Sequence, residues 1–361
     1  MTKTVTLGEI CGINPESITK NYPYSEILYF DTASVTKGVF DLPIEIRKED
    51  APSRAKRVIR DKDILISTVR PNLQHYGLVK RPAENAVAST GFAVIRTKNQ
   101  EVLDSEYLYY WLTTDEKTKF LSSVADQAVS TYPAFNPTII SDMEIDLPDI
   151  AEQKRIAGIL GSLDEKIEFN RAQIQTLESL ASALFQKTFV QSPEAKSWKI
   201  GIIGDLSDIA TGKGGVKTVA VIGGTKPVYG ANGIMGYTDK ALFKERVIIT
   251  GRVGTLGQVR VINDEAWFSD NVLIFTPKSK NFYFVYFTLT NLDWNSLNRG
   301  SSQPLVTQGS IKSQEVTTPD SQTLTSFDVQ VSPLFAQIDH LEKENQTLAK
   351  TRDSLLVKLI I

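Results

Sequence analysis

A single cysteine, Cys11, and only two histidines, His75 and His340, occur in 361 residues. One thiol cannot close an intramolecular disulfide or build a Cys-based zinc site. Two histidines so far apart argue against a His-ligated metal or a Ser-His-Asp triad. That usage fits a reduced, cytoplasmic protein. Runs of about 18 apolar residues are absent, and the opening from Met1 to Ile10 lacks the basic-then-apolar order of an export signal, so neither a membrane span nor a leader is expected. Ordinary amounts of glycine (22) and proline (15), with 41% hydrophobic and 23% charged residues, exclude a disordered or low-complexity chain. What remains is a globular chain too long for one core, for which two domains of roughly 150 residues are expected.

The formal net charge of -2 is a poor guide, because charge is unevenly placed. Pro43 to Lys98 holds 12 Lys+Arg against 6 Asp+Glu, and Lys196 to Arg260 holds 10 against 4. Acidic stretches at Asn99 to Pro148 and Glu315 to Ile361 cancel these blocks. Fields act within about a Debye length, roughly 8 to 10 Å, so a basic face can attract phosphates on a neutral protein.

Ile150 to Thr188 contains no proline, and its apolar residues fall on a four-three spacing: Ile156, Leu160, Leu163, Ile167, Ile174, Leu177, Ala181 and Leu184, with Asn170 the one polar member. This spacing predicts one long helix with a heptad seam. At 1.5 Å per residue it would span roughly 58 Å, more than a compact core needs. Asp149 and Glu152 resemble a capping box at its start. A second such helix is predicted from about Ser332 to Ile361, with Ile338, Leu341, Leu348, Leu355 and Leu359 on the seam and Asn345 and Arg352 interrupting it. A shift along the chain superposes Leu163 on Ile338, Asp164 on Asp339, Asn170 on Asn345 and Leu184 on Leu359, so the helices read as copies.

The segments ahead of the helices repeat as well. Asp63 to Arg70, Tyr76 to Val79, Gly91 to Thr97 and Tyr107 to Leu112 precede the first; Arg246 to Arg252, Gly257 to Val261, Asn271 to Thr276 and Phe282 to Leu289 precede the second. In each half, short β-branched and aromatic runs bounded by turn residues give strands, followed by an aromatic helix. The fold class is α+β: two similar globules separated by two long helices that pair as an antiparallel coiled coil, with internal pseudo-two-fold duplication. The predicted boundaries are 1–148, 149–190, 191–331 and 332–361.

Two basic globules at a fixed separation suit double-stranded DNA, whose dimeric readers set equivalent modules about one helical turn apart. In the first globule the candidate loop readers are Ser67, Thr68, Arg70, Asn72 and Gln74, with Arg54, Lys56, Arg57 and Arg60 as phosphate binders. In the second they are Tyr229, Asn232, Arg252, Thr255 and Gln258 on Gly-rich turns, with Lys213 and Lys217 as phosphate binders. Catalytic motifs fail on content. Around Gly212-Lys213-Gly214-Gly215, a P-loop would need glycine where Ser207 stands and Ser or Thr where Gly214 stands. Asn136-Pro137-Thr138-Ile139 lacks the second proline and the aromatic of an adenine-methyltransferase loop. Trp111, Trp267 and Trp294 read as packing residues.

The run AEQKRIAGILGSLDEKIEFNRAQIQTLESLASALF (Ala151 to Phe185), with PVYGANGIMGYTDK (Pro227 to Lys240) and ITGRVGTLGQV (Ile249 to Val259), resembles the specificity subunit of type I restriction-modification enzymes over essentially the whole chain. The resemblance implies two target-recognition domains that read the two parts of a split, asymmetric DNA site. It also implies helices that set the spacer and dock the partners, two methyltransferase subunits and, through them, restriction subunits. The chain itself would carry no catalysis, no cofactor and no metal. S-adenosylmethionine, ATP and magnesium would belong to the partners, where the target base is extruded for methylation. Thr325 to Val331 departs from the AEQKRI lead of the first helix. The competing reading is a scaffold or adhesion-type protein whose helices recruit partners without DNA.

Overall fold

A computed structural model describes residues 3–127, 133–214, 216–278, 281–300 and 303–360, with the side chains of 3, 216 and 218 left out. Gly215 of the P-loop-like run lies outside the described residues. The chain forms two compact units, one of Met1–Phe169 with Glu344–Ile361, the other of Asn170–Lys343.

In the first unit a four-stranded antiparallel sheet has the order Cys11–Ile13, Phe92–Thr97, Ile64–Ser67, Tyr76–Leu78. A second sheet has the order Ile44–Arg47, Glu26–Phe30, Ala86–Ser89, Ala55–Val58, and its central pair runs parallel. Ile64–Ser67 and Ala86–Ser89 are buried at every position, which explains why the first reads as a continuous rather than an alternating apolar run. Strands Lys3–Thr6 and Glu144–Leu147 pair antiparallel and lead into the first long helix.

The second unit repeats this plan. Ser207–Thr211, Val272–Pro277, Val247–Gly251 and Arg260–Ile262 form the four-stranded sheet. Gly233–Thr238, Lys226–Gly230 and Trp267–Phe268 form the other, again with one parallel pair, Lys226–Gly230 with Trp267–Phe268. Lys199–Ile202 pairs with Glu315–Thr318 ahead of the second long helix. The strand expected at Gly257 to Val261 begins only at Arg260, because Gly257 (φ +79°) turns the chain against Trp294, whose Cδ1 would lie 2.6 Å from an added Cβ.

Each unit packs an aromatic helix beside its sheet. Ser105–Leu112 is capped by Asp104, whose carboxylate accepts from the amides of Glu106 and Tyr107 at 3.0 and 2.9 Å, and it buries Tyr107 through Leu112. Phe282–Thr290 has no cap from its own Asn281 side chain. Its first two amides, Phe282 and Tyr283, instead donate to Asp328 of the long helix, each at 3.2 Å. Trp111 and Trp294 are buried, and Trp267 is half-buried.

The first long helix is Ile150–Phe185, continuing into a π-turn at Gln186–Val190. Asp149 accepts the Glu152 amide at 2.9 Å, but the Glu152 carboxylate pairs with Arg155 at 2.6 Å instead of reaching back, so half of the expected capping box forms. The second helix is Ser321–Ile360 and starts eleven residues before the expected Ser332. Ser332-Pro333 reads as a helix start, yet Asp320 caps the helix by accepting from the Thr323 amide at 2.9 Å, and Pro333 sits inside. The added turns bury Leu324, Phe327 and Val331 against Ala181, Phe185 and Phe189, which outweighs one missing helical hydrogen bond.

Candidate nucleic-acid interface

In the first unit the loop after Ile64–Ser67 is braced from within. The Ser67 hydroxyl donates to the Val69 carbonyl at 2.8 Å, and the Thr68 hydroxyl donates to the Gly91 carbonyl at 3.0 Å. Both residues are buried. The amides of Arg70 and Phe135 donate to Pro133 and Thr68 carbonyls at 2.9 and 3.0 Å. Ser67 and Thr68 therefore hold the loop and offer no hydroxyl at its surface. Arg70 and Gln74 stand in left-handed backbone (φ 48° and 57°) on either side of the short turn Pro71–Leu73, leaving Arg70 and Asn72 exposed and Gln74 half-buried.

The surrounding cations divide between the two ends of the sheet. Arg54 joins the loop end: its carbonyl accepts the Thr90 amide at 2.7 Å, beside the Gly91 carbonyl that accepts from Thr68. Its guanidinium donates to the Tyr29 hydroxyl at 3.0 Å and to Asp31 at 3.2 Å. Arg60 lies at the opposite end of Ile64–Ser67, its amide bonded to Asp63 and its guanidinium paired with Glu16 at 2.7 Å, which holds the Glu16 carboxyl below the usual range. Arg96 joins that cluster through Asp63 at 2.7 Å. Half-buried Arg57 donates to Ser17 at 3.4 Å and borders a 510 Å³ cavity with Cys11, Asn14 and Asn136. Lys56 is exposed and has no ion pair among the described residues. The loop end thus gathers Arg54, Arg70, Asn72 and Gln74, whereas Arg60 lies away from it.

In the second unit the candidates converge on the Gly-rich turns. Arg260 donates to the Asn232 carbonyl at 3.4 Å and to the Gln258 side chain at 2.9 Å, drawing two turns together. Gly251 has no room for a side chain, since a Cβ would lie 2.2 Å from the Thr255 carbonyl oxygen and 2.8 Å from Ala231. Tyr229 stacks on Phe268 at 5.7 Å, and the Lys213 amide donates to the Phe268 carbonyl at 2.8 Å. Asn232, Gln258, Lys213 and Lys217 are exposed, and Thr255 is half-buried. Arg252 is half-buried, with its main chain bonded to Asn271 and Val306.

The helix seam is the least exposed face of both long helices. Ile156, Leu160, Ile167, Ile338 and Leu341 are buried, Asn170 is fully buried, and Leu163, Ile174, Leu177, Leu184, Asn345, Leu348, Leu355 and Leu359 are half-buried. Within the first unit the two helices run antiparallel. Asp164 accepts from Arg352 at 2.6 Å, Lys166 pairs with Glu344 at 3.3 Å, and Leu355 and Leu359 join the core that holds Ile156 and Leu160. Arg352, which the heptad pattern marks as an interruption, is a tie between the helices.

Against known proteins, the type I restriction modification DNA specificity domain matches residues 2–179 and 195–349. The chain belongs to that specificity family. Members similar to it include the HindI specificity subunit of Haemophilus influenzae, 34% identical over 168 residues that span 46% of this chain but only 36% of that protein. The MjaIX specificity subunit of Methanocaldococcus jannaschii is 24% identical over 401 residues, covering 98% of this chain and 86% of that protein. The solved S subunit of a type I system from M. genitalium covers 100% of this chain and 96% of its own at a TM-score of 0.63; at 18% identity it speaks for the fold alone.

Two residues of this specificity-family chain at the candidate interface escaped the sequence reading. Lys37 is exposed at the tip of the hairpin Val35–Thr36/Val39–Phe40, and its amide donates to the Gln74 carbonyl at 3.0 Å, placing it beside the first loop. The signal was the Lys37-Gly38 pair between β-branched residues, both in positive φ (49° and 80°), a two-residue turn of the kind that closes hairpins. Arg260 lies in a basic block but within a strand, Arg260–Ile262, where nothing in the local pattern sets it apart as a turn residue. Among the described residues no cluster of three His, Cys, Asp or Glu could hold a metal, and no helix is long and apolar enough to cross a membrane.

Proposed function

We propose that this chain is the non-catalytic DNA-specificity subunit of a type I restriction-modification complex. In this reading each unit recognises one half of a split, asymmetric DNA site, and the long helices set the gap and dock the modification subunits, two per complex, to which restriction subunits join. The observation that carries it is the twofold occurrence of one plan, in which a polar and cationic loop cluster sits on a sheet joined to a long seam helix. Loop side chains such as Asn72, Gln74, Asn232 and Gln258 have the donor and acceptor pairs that base edges require, and Lys37, Arg54, Arg70 and Lys213 suit phosphates. S-adenosylmethionine, ATP and magnesium would act in the partner subunits, and the complex would work in the cytoplasm. Methylome sequencing of the host with and without this chain tests the reading: adenine methylation should vanish from one motif made of two short specified tracts around an unspecified gap. A continuous motif, or unchanged methylation, would refute it.

A further inference from the structure

The hairpin Lys226–Gly230/Gly233–Thr238 of the second unit carries an apolar surface that its own core does not use. Ile234, Met235 and Tyr237 are 50, 57 and 48% exposed on the outer strand of a three-stranded sheet. The pairing explains how they come to be there. Tyr229 faces Ile234 and Val228 faces Gly236, so Met235 is an extra, bulged residue, and the alternation that would turn one of two neighbours inward is broken. Ile44, on the corresponding outer strand of the first unit, is 56% exposed, and Leu42 just ahead of that strand is 92% exposed, so exposed apolar side chains recur on the repeated plan.

Around this patch cations outnumber the one exposed carboxylate beside the strand, Asp239. Exposed Lys217 lies on the short helix Val216–Val219 packed beside the strand, exposed Lys240 follows it, and neither has an ion pair among the described residues. Arg260 holds the hairpin tip through Asn232. An apolar patch with a lysine rim matches a polyanion that has apolar groups on its floor. Of this three-stranded sheet only the outer edge, Gly233–Thr238, is open to a ligand; the groove of DNA that admits β-structure is the major one, about 12 Å wide against about 6 Å for the minor, and the apolar group on its floor is the pyrimidine 5-methyl, carried by thymine in unmodified DNA.

We propose that Ile234 and Met235 read thymine 5-methyl groups in the major groove, so that the second half-site includes at least one A·T pair recognised by apolar contact. The proposal rests on the DNA-specificity reading above. The test uses full-length chain purified from its host with the subunits that accompany it. A random-core duplex pool is enriched on the wild-type protein and then copied with either dTTP or dUTP. One buried methyl is worth about fourfold in affinity. Wild type should therefore bind the uracil copy at least about fourfold more weakly. I234S/M235S should bind the thymine copy about as weakly as wild type binds the uracil copy, and should distinguish the two copies less. The milder M235Q, with an unchanged circular dichroism spectrum, guards against misfolding. Equal thymine-to-uracil ratios for wild type and variants would overturn the proposal while leaving the specificity reading intact. So would variants with wild-type DNA binding that lose an accompanying subunit, which would make the patch a protein interface. A wild-type protein that enriches no sequence would end both.

Discussion

Replacing Arg352 by methionine should loosen the first unit by an amount the geometry brackets. The guanidinium donates to Asp164 at 2.6 Å, Asp164 accepts the Tyr110 hydroxyl at 2.7 Å through its other oxygen, and the Arg352 and Asp164 side chains are 25 and 24% exposed. Fully buried pairs cost about 3 to 5 kcal/mol when one partner is removed, and exposed pairs about 0 to 1. With a quarter of each side chain open to water, R352M should cost about 1.5 to 3 kcal/mol, and a double-mutant cycle with D164N should return about 1 to 2 kcal/mol of coupling. The change in Tm would be about 2 to 4 °C per kcal/mol for a unit of this size. Urea denaturation measures the total, and hydrogen exchange on peptides from Ser105–Leu112 and Ile150–Phe169 localises it. K343M, which removes exposed pairs to Asp339 at 3.0 Å and to Asp264 at 3.6 Å, is the surface control and should change stability by about 1 kcal/mol or less. Coupling below about 0.5 kcal/mol between Arg352 and Asp164 would refute the tie and return Arg352 to a mere seam interruption.

Burial pushes the Asp328 carboxyl above its ordinary value despite the two amides that donate to it and the charge of Arg246. A raised folded value means that its protonation favours the folded state: the contribution is complete below the unfolded value near 3.8 and is lost as pH rises through the folded one. Urea melts of the second unit between about pH 3 and 6 should show this loss in wild type and a flatter profile in D328N; parallel profiles would sink the assignment. The Cys11 thiol is pushed up to about 12 by burial, with Lys98 opposing. It should resist a disulfide reagent at pH 8 in the native chain and react on addition of urea, whereas fast native labelling would show that the strand Cys11–Ile13 opens readily.

The repeated strands, the aromatic helices and the seam were legible because each rests on local periodicity or on burial of a continuous run. The start of the second long helix was not, because Ser332-Pro333 carries the local mark of a helix beginning while Leu324, Phe327 and Val331 gain their stabilisation from Phe185 and Phe189, far away in sequence. The candidate interface was legible as loops but not as side chains. Ser67 and Thr68 have the right chemistry for reading bases, yet buried carbonyls at this end of the sheet need donors, and those hydroxyls supply Val69 and Gly91. Arg54 and Arg60 count equally in a charge sum. Only the fold brings Asp31 to one and Glu16 to the other, and only the fold sends them to opposite ends of a strand.

The duplication also shows which part of the plan is indispensable. In the first unit fully buried Gln153 joins the long helix to the domain: its amide donates to the carbonyls of Val102 and Pro148 at 3.1 and 2.9 Å, and its oxygen accepts the Asp104 amide at 2.9 Å. The seam alignment that superposes Leu163 on Ile338 puts Asp328 at this position in the second helix, where it holds the start of the aromatic helix. Glu152 and Arg155 make an exposed pair, and the second copy has Phe327 and Gln330 in their places, with Phe327 buried. The outward chemistry of the helix lead has therefore diverged, while an acceptor tying helix to domain has been kept in two forms, one neutral and fully buried, one ionisable and half-buried. A junction that must fix a recognition unit against its helix tolerates a change of residue as long as the amides at the start of the aromatic helix find an acceptor there. That requirement explains why the departure at Thr325 to Val331 leaves the fold intact.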